Sequence, residues 1–279
     1  MDIDKPAGRS GPAASTARNA PAIVIAYAGS GADRLRSLLS AFPELACTRG
    51  TGIVPLCHQA VTAWQTVEDR AGPGMSPLAA ASARALCGGL MTAILAREGG
   101  SRWCEFTNAQ PAALRTFASV YPGTRFLVVH RRADAVARAV IGSGTWGLEG
   151  REFAPFVSAH PASPMAALAS YWAVHTAQQL EFEQANPEAC HRVRIEDLTG
   201  DPARVRPKIR DFLGLDATHA PPLFTDDDDG RDRQGDPNRA SAAPALALDR
   251  IPGPLLAQID DLHRSLGYPP LTSAGNKTG

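Results

Sequence analysis

An apolar run, a glycine-rich turn and a helix-forming segment follow one another near the start of the chain. Residues Ala22 to Ala28 form the run, Gly29-Ser30-Gly31 the turn, and Arg34 to Ala41 the helical segment, whose leucines recur every three or four residues. A nearly continuous apolar run is typical of a strand buried in a parallel sheet. The turn and the helix N-terminus behind it can aim N–H groups at an anion. This block predicts an α/β fold with a ligand loop after its first strand.

Two familiar loops of this shape are not matched. No Gly-Lys-Ser/Thr follows the turn, as a Walker loop requires, and Arg34 stands where a dinucleotide-binding turn has its third glycine. A plain strand-to-helix turn is therefore a second interpretation of the same residues.

Strands and helices alternate along the rest of the chain. Arg125 to His130 is a second apolar strand, and Val193 to Ile195 is a short third one. This alternation predicts a layered α/β domain with a central, largely parallel sheet flanked by helices. The helices are expected at Ser76–Arg97, Asp134–Ile141, Met165–Asn186, a segment ending at Leu213, and Leu255–Leu266.

The composition limits the class of protein. Lysine plus arginine and aspartate plus glutamate each number 28 in 279 residues, so no surface for nucleic acid or an anionic membrane is expected. The five cysteines lack CxxC spacing, which favours a reducing, cytoplasmic location and argues against a zinc site. No metal site is predicted, since the run Asp226 to Asp229 does not have EF-hand spacing.

The two ends of the chain and one internal stretch differ from the rest in composition. Residues 1–20 and 273–279 are rich in small and polar residues and are expected to be flexible tails around one domain at 21–272. Residues 216–250 are expected to form a long loop.

Ligands of α/β sheets lie at the carboxyl ends of the strands. This rule directs attention to two loops, Ala28 to Asp33 after the first strand and Arg131 to Asp134 after the second. Both loops carry residues suited to phosphate binding.

Several segments, taken in order, resemble the nucleotide-dependent sulfotransferase family, in particular its bacterial branch. The loop Ala28 to Asp33 followed by Leu38-Leu39 is similar to the family's first loop and helix, and Phe126 to Ala133 is similar to its strand ending in Arg-Asp-Pro. The block Arg194-Ile-Glu-Asp-Leu198, with Phe212-Leu-Gly-Leu215 after it, resembles a third element. The resemblance covers about residues 22–271 and implies the P-loop-like, three-layer sulfotransferase fold.

The resemblance implies transfer of a sulfuryl group from 3′-phosphoadenosine 5′-phosphosulfate (PAPS), which leaves adenosine 3′,5′-bisphosphate. Ser30 and Gly31 match the cradle of the 5′-phosphosulfate, and Arg131 matches the arginine that holds the 3′-phosphate. The cofactor-binding set that it implies is Gly29, Ser30, Gly31, Ala32, Asp33, Arg34, Arg131 and Ala139.

This chain departs from the family pattern at several of those positions. Gly29 occupies the basic position of the loop, and Ala32 and Asp33 replace two hydroxyl residues. Phe106 replaces a lysine, and Ala139 stands where the serine for the 3′-phosphate is expected. These changes predict weaker PAPS binding unless other arginines, such as Arg34, Arg49, Arg132 or Arg138, supply the missing charge.

Three residues are candidates for the catalytic base. His58 is the first candidate, and His130 and Glu105 are its rivals, because a histidine or a carboxylate can take a proton from an acceptor. Each also has a structural interpretation: His58 on a helix surface, His130 bonded to backbone, and Glu105 paired with an arginine.

Two functions follow from these observations. The first is a sulfotransferase of secondary metabolism that acts on a hydroxyl or amine of a small molecule, with a homodimer left open as its assembly. The alternative is a protein of the same fold that has lost PAPS use and binds a partner or catalyses another reaction in the same pocket.

Overall fold

The computed structural model describes residues 20–67, 75–142, 152–216 and 248–271. Five strands alternate with helices along the chain. The expected tails, apart from Ala20, and most of the expected 216–250 loop lie outside the described residues. The strands are β1 (Ala22–Ile25), β2 (Leu45–Arg49), β3 (Arg102–Thr107), β4 (Arg125–His130) and β5 (Cys190–Arg194).

Ten α-helices connect and cover these strands in the described part of the chain. The first five are α1 (Ala32–Ser40), α2 (Ile53–Val67), α3 (Pro77–Glu98), α4 (Pro111–Val120) and α5 (Ala133–Gly142). The others are α6 (Ala154–Ala159), α7 (Pro164–Ala185), α8 (Ile195–Gly200), α9 (Pro202–Leu213) and α10 (Gly253–Ser265), with a short 3-10 helix at Leu248–Arg250.

All strand pairs are parallel, and the strand order is β2-β3-β1-β4-β5. The chain leaves β1 toward β2 on one side of the sheet and leaves β4 toward β5 on the other side. The boundary between β1 and β4 is therefore the topological switch point, where a crevice opens at the carboxyl ends of the strands. The two loops that the sequence singled out follow these two strands.

Helices cover both faces of the sheet, as a three-layer fold requires. On one face α1, α8 and α9 bury leucines and isoleucines against Val24 and Leu127. On the other face α2, α3 and α4 pack on Ile23, Phe126 and Val128. A third cluster joins α5, α7 and α10 around Tyr27, just beyond the end of β1. The predicted layered α/β fold is confirmed.

The predicted elements agree with the structure in type, and some of their bounds differ. β4 has the predicted bounds, whereas β1 ends at Ile25 rather than Ala28. The third predicted strand was wrong at its end, because Ile195 begins α8 and β5 runs from Cys190 to Arg194. Ser76 caps α3 by accepting a hydrogen bond from the Ala79 N–H at 3.0 Å.

Helix α3 is apolar over most of its length. An 18-residue window within it has a mean hydropathy of 1.6, so by length and composition alone it could cross a membrane. Only 28% of that window is buried in the fold, so most of this apolar helix faces outward.

Candidate functional site

The loop after β1 has the geometry of an anion cradle. Gly29 and Gly31 have φ angles of 79° and 76°, in the left-handed region that favours glycine. Gly31 is the N-cap of α1, and no side chain caps the first amides of this helix among the described residues. The hydroxyl of Ser30 is buried, at 1% exposure, and has no hydrogen-bond partner in the described part of the chain. A buried hydroxyl without a partner is costly, so a ligand oxygen at this point would satisfy it.

Arg131 brings a positive charge to this loop from the end of β4. Its Nη1 donates to the Gly29 carbonyl at 3.0 Å and lies 3.5 Å from the point where a Cβ of Gly31 would be. The backbone of Arg131 is fixed by a hydrogen bond from α7, in which Trp172 Nε1 donates to the Arg131 carbonyl at 2.9 Å. Within the described residues, Gly29 is the one hydrogen-bond partner of the guanidinium, so further N–H donors are available. The two predicted loops therefore meet around one arginine.

Further arginines add to the positive field at the loop. Burial lowers the pKa of the Arg131 guanidinium, and the nearby charges of Arg34 and Arg138 lower it further, while Glu196 opposes them. An arginine remains charged at neutral pH despite such shifts. An anion placed at this loop would relieve the repulsion among these cations.

Several of the other expected cations are already paired. Arg49 bonds Asp33 at 2.5 Å, so the negative charge that Asp33 brings to the start of α1 is balanced. Arg132 and Arg138 each bond Asp134 at 2.9 Å. Arg131, by contrast, donates to the backbone of the glycine turn itself.

The replaced family positions have structural reasons. A Cβ at Gly29 would lie 2.7 Å from Val140 Cγ2, so no basic side chain fits there. Phe106 and Ala32 are buried in the core under α1, and Ala139 on α5 offers no side-chain polar group. Position 29 has room only for a glycine, so a positive charge at this loop has to be supplied by a residue of another segment.

A group of polar side chains behind the loop was missed by the sequence reasoning. The Ala28 N–H donates to the Tyr171 hydroxyl at 3.0 Å, and that hydroxyl donates to Glu152 Oε2 at 3.3 Å. Asn108, just after β3, donates to the same Glu152 oxygen at 3.2 Å. These residues come from three separate segments and follow no motif, so no sequence signal could have grouped them.

A small cavity of about 10 Å³ lies beside this group. Its lining includes His175 and Gln179 of α7 together with Asn108, and a volume of this size holds one water molecule. Burial lowers the pKa of His175 to about 4, so its ring is neutral at physiological pH. The Gln179 Oε1 atom is buried without a described partner, which marks the cavity as polar.

Two of the predicted bases, Glu105 and His130, are buried and already bound. Glu105, at 1% exposure, accepts hydrogen bonds from Thr48 Oγ1 at 2.5 Å and from the Thr51 N–H at 2.8 Å. Burial raises the pKa of Glu105, and those hydrogen bonds oppose the shift. His130 is fully buried and bonds Glu183 at 2.9 Å. Neither side chain is accessible to an acceptor in this structure.

His58 lies in a surface groove between α2 and α4. Its Nδ1 is 2.9 Å from Thr116 Oγ1, and the groove, of about 260 Å³, is lined by residues of these two helices together with Met75. None of its lining residues belongs to the loops after β1 and β4, so the structure does not bring His58 to the anion cradle.

The family model of the sulfotransferase family matches residues 21–219, which is more than half of the chain. Among solved structures, the sulfotransferase domain from the curacin biosynthetic pathway is similar with a TM-score of 0.55 at 15% identity, over 89% of this chain and 98% of that chain. The sulfotransferase domain from the Synechococcus PCC 7002 olefin synthase has a TM-score of 0.52 at 17% identity, over 89% and 94%.

A sulfotransferase from Alicyclobacillus acidocaldarius has a TM-score of 0.51 at 13% identity, over 88% of this chain and 96% of that chain. At such identities these likenesses concern the fold alone. No curated protein sequence matches the chain. The family model, the strand order and the loop at the switch point agree with the resemblance seen in the sequence, and the chain belongs to the sulfotransferase family.

Proposed function

We propose that this protein transfers a sulfuryl group from PAPS to a hydroxyl or amine of a small acceptor. The observation that carries the proposal is the buried, unpartnered hydroxyl of Ser30, in the turn that leads into the α1 N-terminus and whose Gly29 carbonyl accepts from the Arg131 guanidinium. An anionic oxygen is the ligand that would satisfy all three groups at once.

The residues present fit the 5′-phosphosulfate end of such a donor. Bound there, the donor would supply the sulfuryl group, and the leaving phosphate would carry the developing negative charge. Ser30 and the first amides of α1 would hold its oxygens, and Arg131 would stabilise the charge as the bond to sulfur breaks. Arg131 would therefore supply, from the end of β4, the positive charge that the family pattern places at position 29.

This assignment changes the expected role of Arg131. The resemblance implies that it holds the 3′-phosphate, with a serine nearby, but Ala139 stands at the serine position. The contact with Gly29 favours the 5′ loop as its site of action. We therefore infer that Arg131 binds the 5′ group and that the 3′-phosphate contributes less to affinity.

The reaction also needs a group that takes the acceptor proton, and we assign this role to Glu152. Its side chain is exposed, and its Oε2 accepts hydrogen bonds from Asn108 and Tyr171, which orient it. In the described part of the chain no cation pairs with this carboxylate, unlike Asp33 and Asp134. As the acceptor oxygen bonds to sulfur and the bond from sulfur to the phosphate oxygen breaks, Glu152 takes the acceptor proton.

The alternative of a protein that has lost PAPS use has less support. A degenerate site would not be expected to keep an unpartnered buried hydroxyl and an inward arginine around an intact glycine turn. These features cost stability in the free protein, which argues that a ligand uses them.

Calorimetric titration with adenosine 3′,5′-bisphosphate tests the proposal, using the natural protein and Ser30→Ala. Because the Ser30 hydroxyl has no described partner, Ser30→Ala should keep or slightly raise the melting temperature while weakening binding by about 1 kcal/mol, roughly fivefold. Ser119→Ala, on the outer side of α4, is the matched control and should bind normally. Absence of bisphosphate binding by the natural protein would contradict the proposal.

The role of Glu152 is tested by release of sulfate from PAPS with water as the acceptor. Glu152→Gln keeps the size of the side chain and should lower kcat by about 10²- to 10⁴-fold with bisphosphate affinity unchanged. Glu181→Gln, an exposed carboxylate on α7, is the control. Equal rates for Glu152→Gln and the natural protein would remove Glu152 from the mechanism.

A further inference from the structure

The peptide group that follows Arg131 is held from both sides by side chains of other helices. Trp172 of α7 donates to the Arg131 carbonyl at 2.9 Å. The N–H of the same peptide group belongs to Arg132 and donates to Glu196 Oε1 of α8 at 2.9 Å. Since the direction of a side chain depends on the backbone that carries it, these contacts help to aim Arg131 at the Gly29 carbonyl, which its Nη1 reaches at 3.0 Å.

The next N–H of this turn, that of Ala133, is capped by a histidine. Ala133 is the first residue of α5, and the Arg132 carbonyl accepts a hydrogen bond from the Val136 N–H at 3.0 Å. The first N–H groups of a helix have no carbonyl partner within that helix. His263 of α10 supplies the acceptor, because its Nε2 accepts from the Ala133 N–H at 3.2 Å.

The other nitrogen of the His263 ring fixes its protonation state. Nδ1 lies 2.9 Å from the Pro269 carbonyl, and because a carbonyl oxygen can only accept, Nδ1 carries a proton. Nε2 must then keep its lone pair in order to accept from the Ala133 N–H. The two contacts together require a neutral ring with its proton on Nδ1. A second proton, on Nε2, would turn the acceptor of the helix cap into a donor that faces another donor.

His263 is fully buried and contacts the other side chains that hold the turn. Its ring packs edge-to-face on Trp172, with the ring centroids 5.1 Å apart, and on Tyr268 at 5.5 Å. The Tyr268 hydroxyl donates in turn to Glu196 Oε2 at 2.7 Å. The two side chains that hold the peptide group after Arg131 therefore meet His263 directly or through one tyrosine.

The surroundings of His263 favour its neutral form. Burial of the ring lowers the pKa of His263 and is the largest influence, with the Arg132 guanidinium acting in the same direction. The bond to the Pro269 carbonyl and two nearby carboxylates oppose this lowering of the pKa. Burial also raises the pKa of the Tyr268 phenol, which therefore stays protonated. The titratable or charged groups that face the ring, directly or behind Tyr268, are Arg132 and Asp134 of α5, Asp260 of α10, Glu196 of α8 and Tyr268.

We propose that neutral His263 is a positioning residue for sulfuryl transfer, because it caps α5 and through that cap keeps the Arg131 guanidinium at the Gly29 loop. The inference rests on the proposed function for the reaction that Arg131 serves. A proton on Nε2 of His263 breaks the cap, so the Ala133 N–H loses its acceptor and the turn that carries Arg131 loosens. The loop should then bind an anion more weakly in acid than at neutral pH.

Nuclear magnetic resonance of the ligand-free full chain tests the cap without any donor. His263→Asn keeps a donor near the position of Nδ1 but loses the acceptor at Nε2, so the Ala133 amide and Arg131 Nε–H resonances should shift at neutral pH. His263→Gln keeps an acceptor near Nε2 and should leave both resonances close to those of the natural protein.

The same resonances report the effect of a proton on the ring. In the natural protein they should shift as the pH falls below about 6.5, with the midpoint of the His263 ring itself, and in His263→Gln this step should be absent. Arg131 resonances that are the same in His263→Asn and the natural protein would overturn the proposal, as would resonances that stay constant while the ring titrates.

Calorimetric titration with adenosine 3′,5′-bisphosphate measures what the cap contributes to the site. At neutral pH, His263→Asn should bind roughly tenfold more weakly than the natural protein, and His263→Gln within about twofold of it. On acidification to about pH 5.5 the natural protein should lose affinity relative to His263→Gln. This comparison removes the protonation of the ligand itself, because both proteins meet the same ligand.

Ile259→Val is the control for a loss of stability in α10. Ile259 is fully buried in the cluster that α10 shares with α5 and α7, so the variant should melt at a lower temperature and bind the bisphosphate normally. Normal binding by His263→Asn would overturn the proposal, as would an equal loss of affinity in Ile259→Val. If the natural protein binds no bisphosphate, the proposed function fails, and the Arg131 resonances still decide whether His263 holds this arginine in place.

Discussion

At the scale of single residues, the anion site rests on Gly29, Gly31 and Arg131. The two glycines have left-handed backbone conformations, and the arginine, 102 positions after Gly29, donates to the Gly29 carbonyl at 3.0 Å. By sequence alone, Gly29 is a site where the basic residue of the family pattern has been lost. The structure gives a different reason for the glycine, since α5 packs where a side chain would be.

Substitution of Gly29 tests this close packing. In Gly29→Ala the new Cβ would lie 2.7 Å from Val140 Cγ2 and 3.0 Å from Val136 Cγ1, in a backbone region that alanine disfavours. We expect a loss of about 2–4 kcal/mol in the free energy of unfolding, measured by urea denaturation.

Gly50→Ala is the matched control for that substitution. Gly50 has a φ of 63°, and a Cβ there would meet nothing within 4 Å, so only the backbone strain of about 1 kcal/mol should be lost. Equal losses in the two variants would show that contact with α5 does not constrain the loop.

At the scale of elements, the carboxyl ends of β1 and β4 are held together by helix α7. Trp172 of this helix donates to the Arg131 carbonyl, and Tyr171 accepts from the Ala28 N–H, so one helix positions both loops. Lower on the same helix, Glu183 joins β4 and β5 by bonding His130 and Arg192.

The Glu183 cluster makes stability dependent on pH. Burial alone would raise the pKa of Glu183, but the hydrogen bonds from His130 and Arg192 outweigh it and lower the pKa below its ordinary value. A depressed carboxyl pKa contributes stability that is fully present above the unfolded value, near 4.3, and is lost as the pH falls through the folded value. We expect the free energy of unfolding to decline below about pH 5.

Urea denaturation between neutral and acidic pH checks this expectation. Glu183→Gln should be less stable at pH 7 and should show a weaker decline on acidification than the natural protein. Glu188→Gln, a nearby residue outside α7 whose carboxylate forms no ion pair in the described part of the chain, is the control. An unchanged pH dependence in Glu183→Gln would contradict the role of the cluster.

At the scale of the whole molecule, the elements with a clear hydrophobic period could be predicted and those with buried charge could not. The leucine spacing of α1 and the apolar run of β4 identified the two elements beside the site. Strand β3 was missed as a strand because it carries Arg102 and Glu105, both almost fully buried. Two nitrogens of Arg102, Nε and Nη1, donate to the carbonyls of Ala20 and Leu213, and these partners are too distant in sequence for any local pattern to reveal.

The position of the candidate site could be predicted from the sequence, but the arrangement of its side chains could not. The sequence located both loops, because the rule that ligands lie at strand carboxyl ends needs only the strand positions. It could not show that Arg131 turns toward Gly29, nor that Glu152, Asn108 and Tyr171 meet, since side-chain direction depends on tertiary packing. The order of the matching segments is enough to indicate the family. That Arg131 brings a positive charge to the Gly29 loop is visible only in the three-dimensional structure.

The most direct test of this account compares adenosine 5′-monophosphate with adenosine 3′,5′-bisphosphate as calorimetric ligands of Arg131→Ala. If Arg131 serves the 5′ loop, the substitution should weaken both ligands equally, by about 2 kcal/mol or roughly 30-fold. Arg125→Ala, at the opposite end of β4, should bind both normally. A loss confined to the bisphosphate would place Arg131 at the 3′-phosphate, and no loss for either ligand would remove it from the site; both results contradict the account.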